Sequence, residues 1–357
     1  MISGGGTGGH IYPAIAIADA LKARFPQSKF LFVGASDRME MDLVPRAGYQ
    51  IEGLWISGIQ RKLSLKNLLL PVKILSSLLK SYRLIRSFQP DFIIGTGGFA
   101  SGPVLFMASF FSIPYLIQEQ NAFAGLTNKW LAKKSVAVCV AYPNMQRFFS
   151  GANVQLTGNP VRSVLTQLQN SREEACAVFG FSAEDKIVLL LGGSLGSAQM
   201  NRWMSEQLSY VTDQGFKLIW QCGRSYFETY EIYESSSVRV FPYIMNMGAA
   251  YSAADMIISR AGAGAISELA SVGKPTLFIP SPVVAEDHQT QNARSMVELG
   301  AALMLREDEM EERSAEVLGL LIARTLSGDT SMADAFKNQA RPEAAETIVE
   351  LISSYLQ

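Results

Sequence analysis

Short apolar runs alternate along this chain with stretches whose apolar residues recur at helical spacing. Lys29 to Gly34 (KFLFVG), Asp91 to Gly95 (DFIIG), Pro114 to Gln118 (PYLIQ) and Val136 to Val140 read as strands, each followed by glycine, polar or helix-starting residues. That is the βα signature of a parallel sheet. From Ile11 to Phe25, Ala14, Ile15, Ala18 and Leu21 keep helical spacing, with Pro13 in a first turn where proline is tolerated. After a short run at Asn153 to Leu156, the turn Gly158-Asn159-Pro160 marks a domain boundary.

The second half repeats the plan. Ile187 to Leu191 (IVLLL) is a buried strand, followed by a glycine loop at 192–197 and a helix; Lys217 to Gln221, Val238 to Phe241, Ile257 to Ser259 and Thr276 to Ile279 follow as strands. The pattern predicts an α/β protein of two Rossmann-like domains, their parallel sheets facing across a cleft, with ligands at the carboxyl ends of the strands. The domains are expected at 1–160 and 161–340, with an amphipathic helix in Glu343 to Leu356 that packs back, with the rest of 341–357, on the first. No low-complexity segment interrupts this plan.

One helix invites two readings. From Pro71 to Phe88 a helical wheel gathers Ile74, Leu75, Leu78, Leu79, Tyr82 and Ile85 on one arc and Lys73, Lys80 and Arg83 on the opposite one. A core-facing helix with a solvated basic back accounts for the apolar arc. Yet Leu68-Leu69-Leu70 adds apolar surface beside Arg61, Lys62 and Lys66, a combination suited to the headgroup region of an anionic membrane. No run reaches the roughly 20 apolar residues of a membrane span; Pro103 to Ile117 is short and carries Pro114.

Length and charge sharpen the picture. At 357 residues with 48% hydrophobic content, the chain can build two cores. Residues 1–172 carry 18 basic and 7 acidic side chains, and residues 173–357 carry 13 and 25; between Glu52 and Asp91 there are seven basic residues and no acidic one. The N-terminal half is expected to face something anionic, unless the excess is only a solvated surface. Three cysteines without metal-like spacing (Cys139, Cys176, Cys222) read as buried thiols in a reducing compartment. The chain opens without a basic segment followed by an apolar one, so no signal peptide is expected.

The chemistry concentrates in glycine loops. Residues 4–10 read Gly-Gly-Gly-Thr-Gly-Gly-His, five glycines ending in one of only two histidines. A glycine turn feeding a helix N-terminus offers unpaired N–H groups and the positive end of a dipole to an anion. Gly4, Gly6 and Gly9 satisfy G-x-G-x-x-G, but the second strand ends Phe32-Val33-Gly34 where a dinucleotide site needs an acid, which disfavours a nicotinamide cofactor. Further loops at Gly95-Thr96-Gly97-Gly98 and 192–197 fit a nucleotide diphosphate on one side and a second phosphate-bearing molecule on the other. The segment 260–268 (RAGAGAISE) starts a helix, and its Glu268 can accept hydrogen bonds from a ribose diol. Glu286 to Asn292 gathers polar side chains suited to sugar hydroxyls.

These motifs together resemble the MurG family, bacterial enzymes that transfer N-acetylglucosamine from UDP-N-acetylglucosamine to undecaprenyl-diphospho-N-acetylmuramyl-pentapeptide (lipid I), making lipid II. The matching segments are GGGTGGH at 4–10, GTGGFASGP at 95–103, EQNAFAGLTNKWLA at 119–132, GNPVR at 158–162, GGSLGS at 192–197, RAGAGAISE at 260–268 and DHQTQNA at 287–293, in the family's order over nearly the whole chain. The resemblance implies a GT-B fold and an inverting transfer that uses no metal or cofactor, in the service of peptidoglycan synthesis, cell shape and division. It implies substrate contacts at Thr7, Gly8, Gly9, Asn121, Asn128, Arg162, Ser194, Ile244, Ala263, Gly264, Ala265, Ile266, Ser267, Glu268 and Gln289. Glu268 would hold ribose, Ser194 a diphosphate oxygen, Ile244 the uracil edge through its backbone, and Gln289 the sugar hydroxyls. The C-terminal domain would hold UDP; the N-terminal domain would receive the lipid-linked acceptor at the cytoplasmic face of the inner membrane, as a peripheral protein. No nucleic acid is implied. One departure stands out: only Met1-Ile2-Ser3 precedes the first glycine loop, where the family usually has a full first strand.

An inverting transfer needs a general base for the acceptor hydroxyl. His10 is the first candidate, since a histidine's unperturbed pKa of about 6.5 leaves it mostly neutral in cytoplasm; Glu119 is its rival, and His288 reads as a donor-loop contact. Other readings remain open from sequence: a related glycosyltransferase acting on diacylglycerol or another lipid, a non-catalytic nucleotide-sugar-binding or scaffold protein, and an NAD-dependent oxidoreductase.

Overall fold

The backbone of the computed structural model, which describes residues 1–57, 69–161, 171–193, 195–284 and 287–356, divides into two units, Met1–Arg162 with Arg341–Gln357, and Ser163–Ala340. The first runs β1 (Ile2–Gly4), α1 (Gly8–Arg24), β2 (Phe32–Ala35), α2 (Glu40–Arg46), β3 (Ile51–Leu54), α3 (Leu70–Phe88), β4 (Ile93–Gly97), α4 (Ser101–Phe110), β5 (Tyr115–Glu119), α5 (Leu126–Leu131), β6 (Ala137–Val140) and β7 (Val154–Leu156). Its seven strands lie in the order β3-β2-β1-β4-β5-β6-β7, all parallel. The second runs α6 (Arg172–Ala177), β8 (Lys186–Leu191), α7 (Ala198–Asp213), β9 (Phe216–Gln221), α8 (Phe227–Tyr230), β10 (Val238–Phe241), α9 (Met247–Ala253), β11 (Met256–Ser259), α10 (Ala263–Val272), β12 (Thr276–Phe278), α11 (His288–Glu298), β13 (Leu303–Met304), α12 (Met310–Ser327) and α13 (Ser331–Lys337). Its six strands lie in the order β10-β9-β8-β11-β12-β13, again all parallel. The last helix, α14 (Ala344–Ser353), belongs to the first unit.

Parallel strands need both faces covered, which is why the central ones are continuous apolar runs. Ile187 to Leu191 are all buried, and Leu190, Leu218, Trp220 and Ile258 pack with Met200 and Trp203 of α7 and Leu321 of α12. In the first unit, Ile11, Ile17 and Leu21 of α1 join Ile2, Phe32 and Ile94 of the sheet and Ile348, Val349 and Ile352 of α14 in one core. The three-residue stub β1 is a full member of that sheet. Ile2 and Ser3 pair with Phe32 and Val33 on one side and with Ile94 and Gly95 on the other.

Helix α3 departs from its wheel. Its buried stripe is Ser77, Ser81 and Ile85, and the arc containing Val72, Leu75, Leu79 and Tyr82 is exposed. The basic side chains explain why. Lys73 Nζ donates to Ser57 Oγ at 2.9 Å and lies 5.6 Å from the Trp55 ring centre, while Lys80 Nζ reaches the Gly53 carbonyl and Glu52 Oε2, both at 2.8 Å. Ser77 Oγ donates to the Trp55 carbonyl at 3.2 Å. The helix is thus tied by polar groups to the edge strand β3 and the residues after it, and most of its apolar arc faces outward. The core-facing reading is corrected here, and Lys73 and Lys80 are not a solvated back. Arg61, Lys62 and Lys66 lie outside the described residues.

Candidate functional site

In the first unit the loop from β1 to α1 is held from beneath by a carboxylate. Glu40 is fully buried and accepts from Gly6 N and Ala35 N, both at 2.9 Å. Thr7 caps α1, so Gly8, Gly9 and His10 form its first turn, with no acidic residue there to occupy the helix N-terminus. Thr96 Oγ1 donates to the His10 carbonyl at 2.9 Å, and His10 Nδ1 sits 2.9 Å from both Thr96 O and Gln120 Oε1. The second glycine loop makes this seat possible. Gly97 adopts φ 93°, a region open to glycine, and a Cβ there would come 2.8 Å from His10 Nδ1.

Glu119 has a different character. It is 2% exposed and its two oxygens accept four N–H groups: Asn121 N (3.1 Å) and Nδ2 (3.4 Å) at Oε1, Gly125 N (3.0 Å) and Asn128 Nδ2 (2.8 Å) at Oε2. The carboxylate organises the turn from β5 to α5. Asn128 is buried, its amide nitrogen turned onto Glu119 and its Oδ1 without a partner.

The second unit contains an open recess of about 660 Å³ at the carboxyl ends of β8, β9, β11 and β12, lined by Gly193, Ser197, Tyr251, Arg260, Glu268 and Gln289 among others. Of residues 263–268, Ala265 and Glu268 line the recess three residues apart, the spacing of one helical face. Ala263 and Ile266 are buried, Ser267 Oγ donates back to the Ala263 carbonyl at 3.1 Å, and Gly264 lies in the first turn of α10. Tyr251 OH donates to Glu268 Oε2 at 3.3 Å; burial first, then the charge and hydrogen bond of Glu268, hold this phenol well above the ordinary tyrosine range. Gln289 Oε1 accepts from Ser281 N at 2.9 Å, which fixes the direction of its amide. Arg260 underlies the recess, donating to Ile279 O at 3.0 Å and to Ser197 Oγ and Glu307 Oε1, both at 2.5 Å.

Sequence reasoning missed Gln221, at the end of β9. Its Oε1 accepts from Ile244 N at 2.9 Å and its Nε2 donates to Gly193 O at 3.1 Å, joining two loops of the recess. Ile244 is buried with its N–H on Gln221, and Tyr243 and Met247 nearby in the chain, but not Ile244 itself, line the recess. Glu40, Gln120, Tyr251 and Arg260 were missed as well; a polar residue at a strand end or in a loop after it was the available signal for Gln120, Gln221 and Arg260. Arg162 and Ser194 lie outside the described residues. Among the described residues no group of three His, Cys, Asp or Glu side chains could hold a metal ion, and no helix is long and apolar enough to cross a membrane.

Residues 1–140 match the glycosyltransferase family 28 N-terminal domain, and residues 187–348 match the family 28 C-terminal domain. The chain is 50% identical over 356 residues to the UDP-N-acetylglucosamine–N-acetylmuramyl-(pentapeptide) pyrophosphoryl-undecaprenol N-acetylglucosamine transferase of Christiangramia forsetii, covering 100% of this chain and 97% of the relative. It is 48% identical to the enzyme of the same name from Flavobacterium psychrophilum, over 99% and 96% of the two chains. Among solved structures it is similar to Acinetobacter baumannii MurG, with a TM-score of 0.76, 28% identity and 99% coverage of both chains.

Proposed function

The chain belongs to glycosyltransferase family 28, within its MurG branch, and from that premise we propose how its two Rossmann-like units carry out N-acetylglucosamine transfer. The protein is a hexosyltransferase of GT-B fold that moves N-acetylglucosamine from UDP-N-acetylglucosamine to undecaprenyl-diphospho-N-acetylmuramyl-pentapeptide. The observation that carries the geometric reading is the recess of the second unit. A carboxylate oriented by a buried tyrosine stands beside a glycine turn and a helix N-terminus, the chemistry of a ribose diol next to a diphosphate. Glu268 accepts from ribose, the Ile244 carbonyl accepts from the uracil ring N–H, and the oriented Gln289 amide meets sugar hydroxyls.

The acceptor hydroxyl attacks the anomeric carbon from the face opposite the diphosphate. One C–O bond forms, the bond to the diphosphate oxygen breaks with its electron pair leaving on UDP, and the hydroxyl proton passes to a base. His10 suits that role better than Glu119, because the Glu119 oxygens already accept four hydrogen bonds that a proton would have to displace. Charge developing on UDP meets backbone N–H groups and the α10 N-terminus.

The acceptor carries a polyprenyl chain, so the first unit must meet a lipid surface. The exposed arc of α3, with Leu75 60% exposed, continues onto α4, where Phe110 is 69% exposed; the Tyr82 and Phe111 rings meet between them, tilted, with centres 5.3 Å apart. Arg83 lines the groove in this arc, and Arg86 is exposed at the end of the helix. Apolar side chains flanked by arginines fit the cytoplasmic face of an anionic inner membrane. Incubation with UDP-N-acetylglucosamine and a lipid I analogue tests the reading, with UDP release and a disaccharide product expected. Release with diacylglycerol in place of that analogue would overturn the acceptor assignment.

A further inference from the structure

Three side-chain amides behind His10 have a hydrogen-bond direction that can be followed from one end. Asn159 Nδ2 lies 3.1 Å from the backbone oxygen of Gln120. A carbonyl only accepts, so the Asn159 nitrogen faces it and the Asn159 oxygen faces the other way. Asn159 Oδ1 accepts from Gln118 Nε2 at 2.9 Å. Gln118 Oε1 is thereby turned to Gln120 and accepts from its Nε2, which also donates to Thr96 O at 2.6 Å. Gln120 is left presenting Oε1 to His10 Nδ1 at 2.9 Å, beside Thr96 O at the same distance.

Neither of those oxygens carries a hydrogen. A lone pair on Nδ1 would oppose both, so Nδ1 must be the protonated ring nitrogen. Gln118, Gln120 and Asn159 are 0%, 1% and 3% exposed, which leaves no solvent to rescue a reversed amide. Reversing any one of them would set oxygen against oxygen or nitrogen against nitrogen at the next link.

We infer that the Thr96 carbonyl, backed by this buried amide chain, fixes His10 as the Nδ1–H tautomer and places its basic lone pair on Nε2, which makes Gln120, Gln118 and Asn159 positioning residues for the transfer. The inference rests on His10 being the base. A carboxylate commonly holds a catalytic histidine in its working tautomer; here a backbone carbonyl and a neutral amide do so, and the carboxylate of Glu119 is turned onto the 121–128 loop instead. The polarity originates at a backbone carbonyl and passes through Asn159 in the turn after β7, far along the chain from the glycine loop.

The chain has two histidines, so protein labelled with ¹⁵N-histidine gives two ring systems in a long-range ¹H–¹⁵N spectrum, and His288→Gln assigns them. At pH 8 the full-length protein is expected to show His10 with a protonated Nδ1 and a bare Nε2. In Gln120→Leu and Gln118→Leu the Thr96 carbonyl still faces Nδ1, so the tautomer should persist while the ring is held less firmly, with kcat reduced about two- to tenfold, the contribution of one hydrogen bond, and the donor KM unchanged. Neither substitution should lower kcat further in a His10→Ala background. A protonated Nε2 in the unsubstituted protein overturns the inference even if both variants fail to fold, as does an undiminished kcat in folded variants. A fixed Nδ1–H tautomer in a protein whose His10→Ala form keeps its rate leaves the amide chain standing and removes the base reading.

Discussion

Tyr251 and Glu268 meet across two helices, the phenol of α9 donating to the carboxylate of α10 at 3.3 Å. Burial and the Glu268 charge keep that phenol protonated, so the donation persists over the whole working pH range. The carboxylate therefore has one orientation before substrate arrives. Glu268→Ala removes a charged hydrogen-bond partner, and donor affinity should fall by about 1.5–3 kcal/mol. Tyr251→Phe keeps the carboxylate and loses only its orientation, at about 0.5–1.5 kcal/mol. Titration with UDP-N-acetylglucosamine measures both; a collapse of kcat at unchanged donor affinity in Glu268→Ala would remove it from the binding site.

His10→Ala should lower kcat by about 10²–10⁴-fold, the usual contribution of a general base, with the donor dissociation constant nearly unchanged. Glu119→Gln is expected to behave differently. Four N–H groups converge on that carboxylate, and an amide in its place would point N–H at N–H. Its main effect should be a lower melting temperature. If Glu119→Gln keeps its stability but loses the rate while His10→Ala keeps it, the two roles are exchanged.

Gly97→Ala probes the seat of the imidazole. The new methyl would lie 2.8 Å from His10 Nδ1, at a residue with φ 93°. Strain at such an angle costs on the order of 1–2 kcal/mol, and relief comes most directly by displacing His10. The expected outcome is a folded protein with modestly reduced melting temperature, intact donor binding and a strongly reduced rate. An unreduced rate would mean the imidazole position is not critical.

Most strands were legible because buried parallel strands are written as short unbroken apolar runs, Ile187 to Leu191 being the plainest. Strand β3 (IEGL) was missed because an edge strand needs no such run, and β1 because three residues are too few to show a period. The glycine loops and Glu268 could be located from their motifs. What could not be read was which side chains of a motif face the same space. In 263–268 only Ala265 and Glu268 line the recess, since a helix turns its neighbours away. The partners of Glu40 and Gln221 arise where loops from separate strands converge, and no spacing in the sequence encodes that; those of Glu119 lie in its own β5–α5 turn. Helix α3 is the instructive failure. Its apolar arc has the period of a core face, and polar ties from Lys73, Ser77 and Lys80 to the β3 region turn it outward.

Of the three basic residues of the helical wheel, only Arg83 should therefore bear directly on membrane docking, together with apolar side chains of the exposed arc. Lys80 is tied to Glu52 and Gly53, and Lys73 to Ser57 and Trp55, so reversing either charge mainly loosens α3 from β3. Arg83 lines the groove of the exposed arc, and a basic side chain there contributes on the order of 1 kcal/mol at an anionic surface. Leu75, Leu79 and Phe110 supply the apolar component, each worth up to about 1.5–3 kcal/mol if fully withdrawn from water. Arg83→Glu should weaken co-sedimentation with anionic vesicles at low salt and matter little at high salt, where screening acts within a few ångströms. The triple variant Leu75→Ser, Leu79→Ser, Phe110→Ser should weaken it at both. Donor binding, which we propose for the second unit, should be intact in each. Lys80→Glu should lower the melting temperature with vesicle binding reduced only as far as folding is. Full vesicle binding by the triple variant would move the docking surface elsewhere on the molecule, and the apolar arc of α3 would then need another explanation.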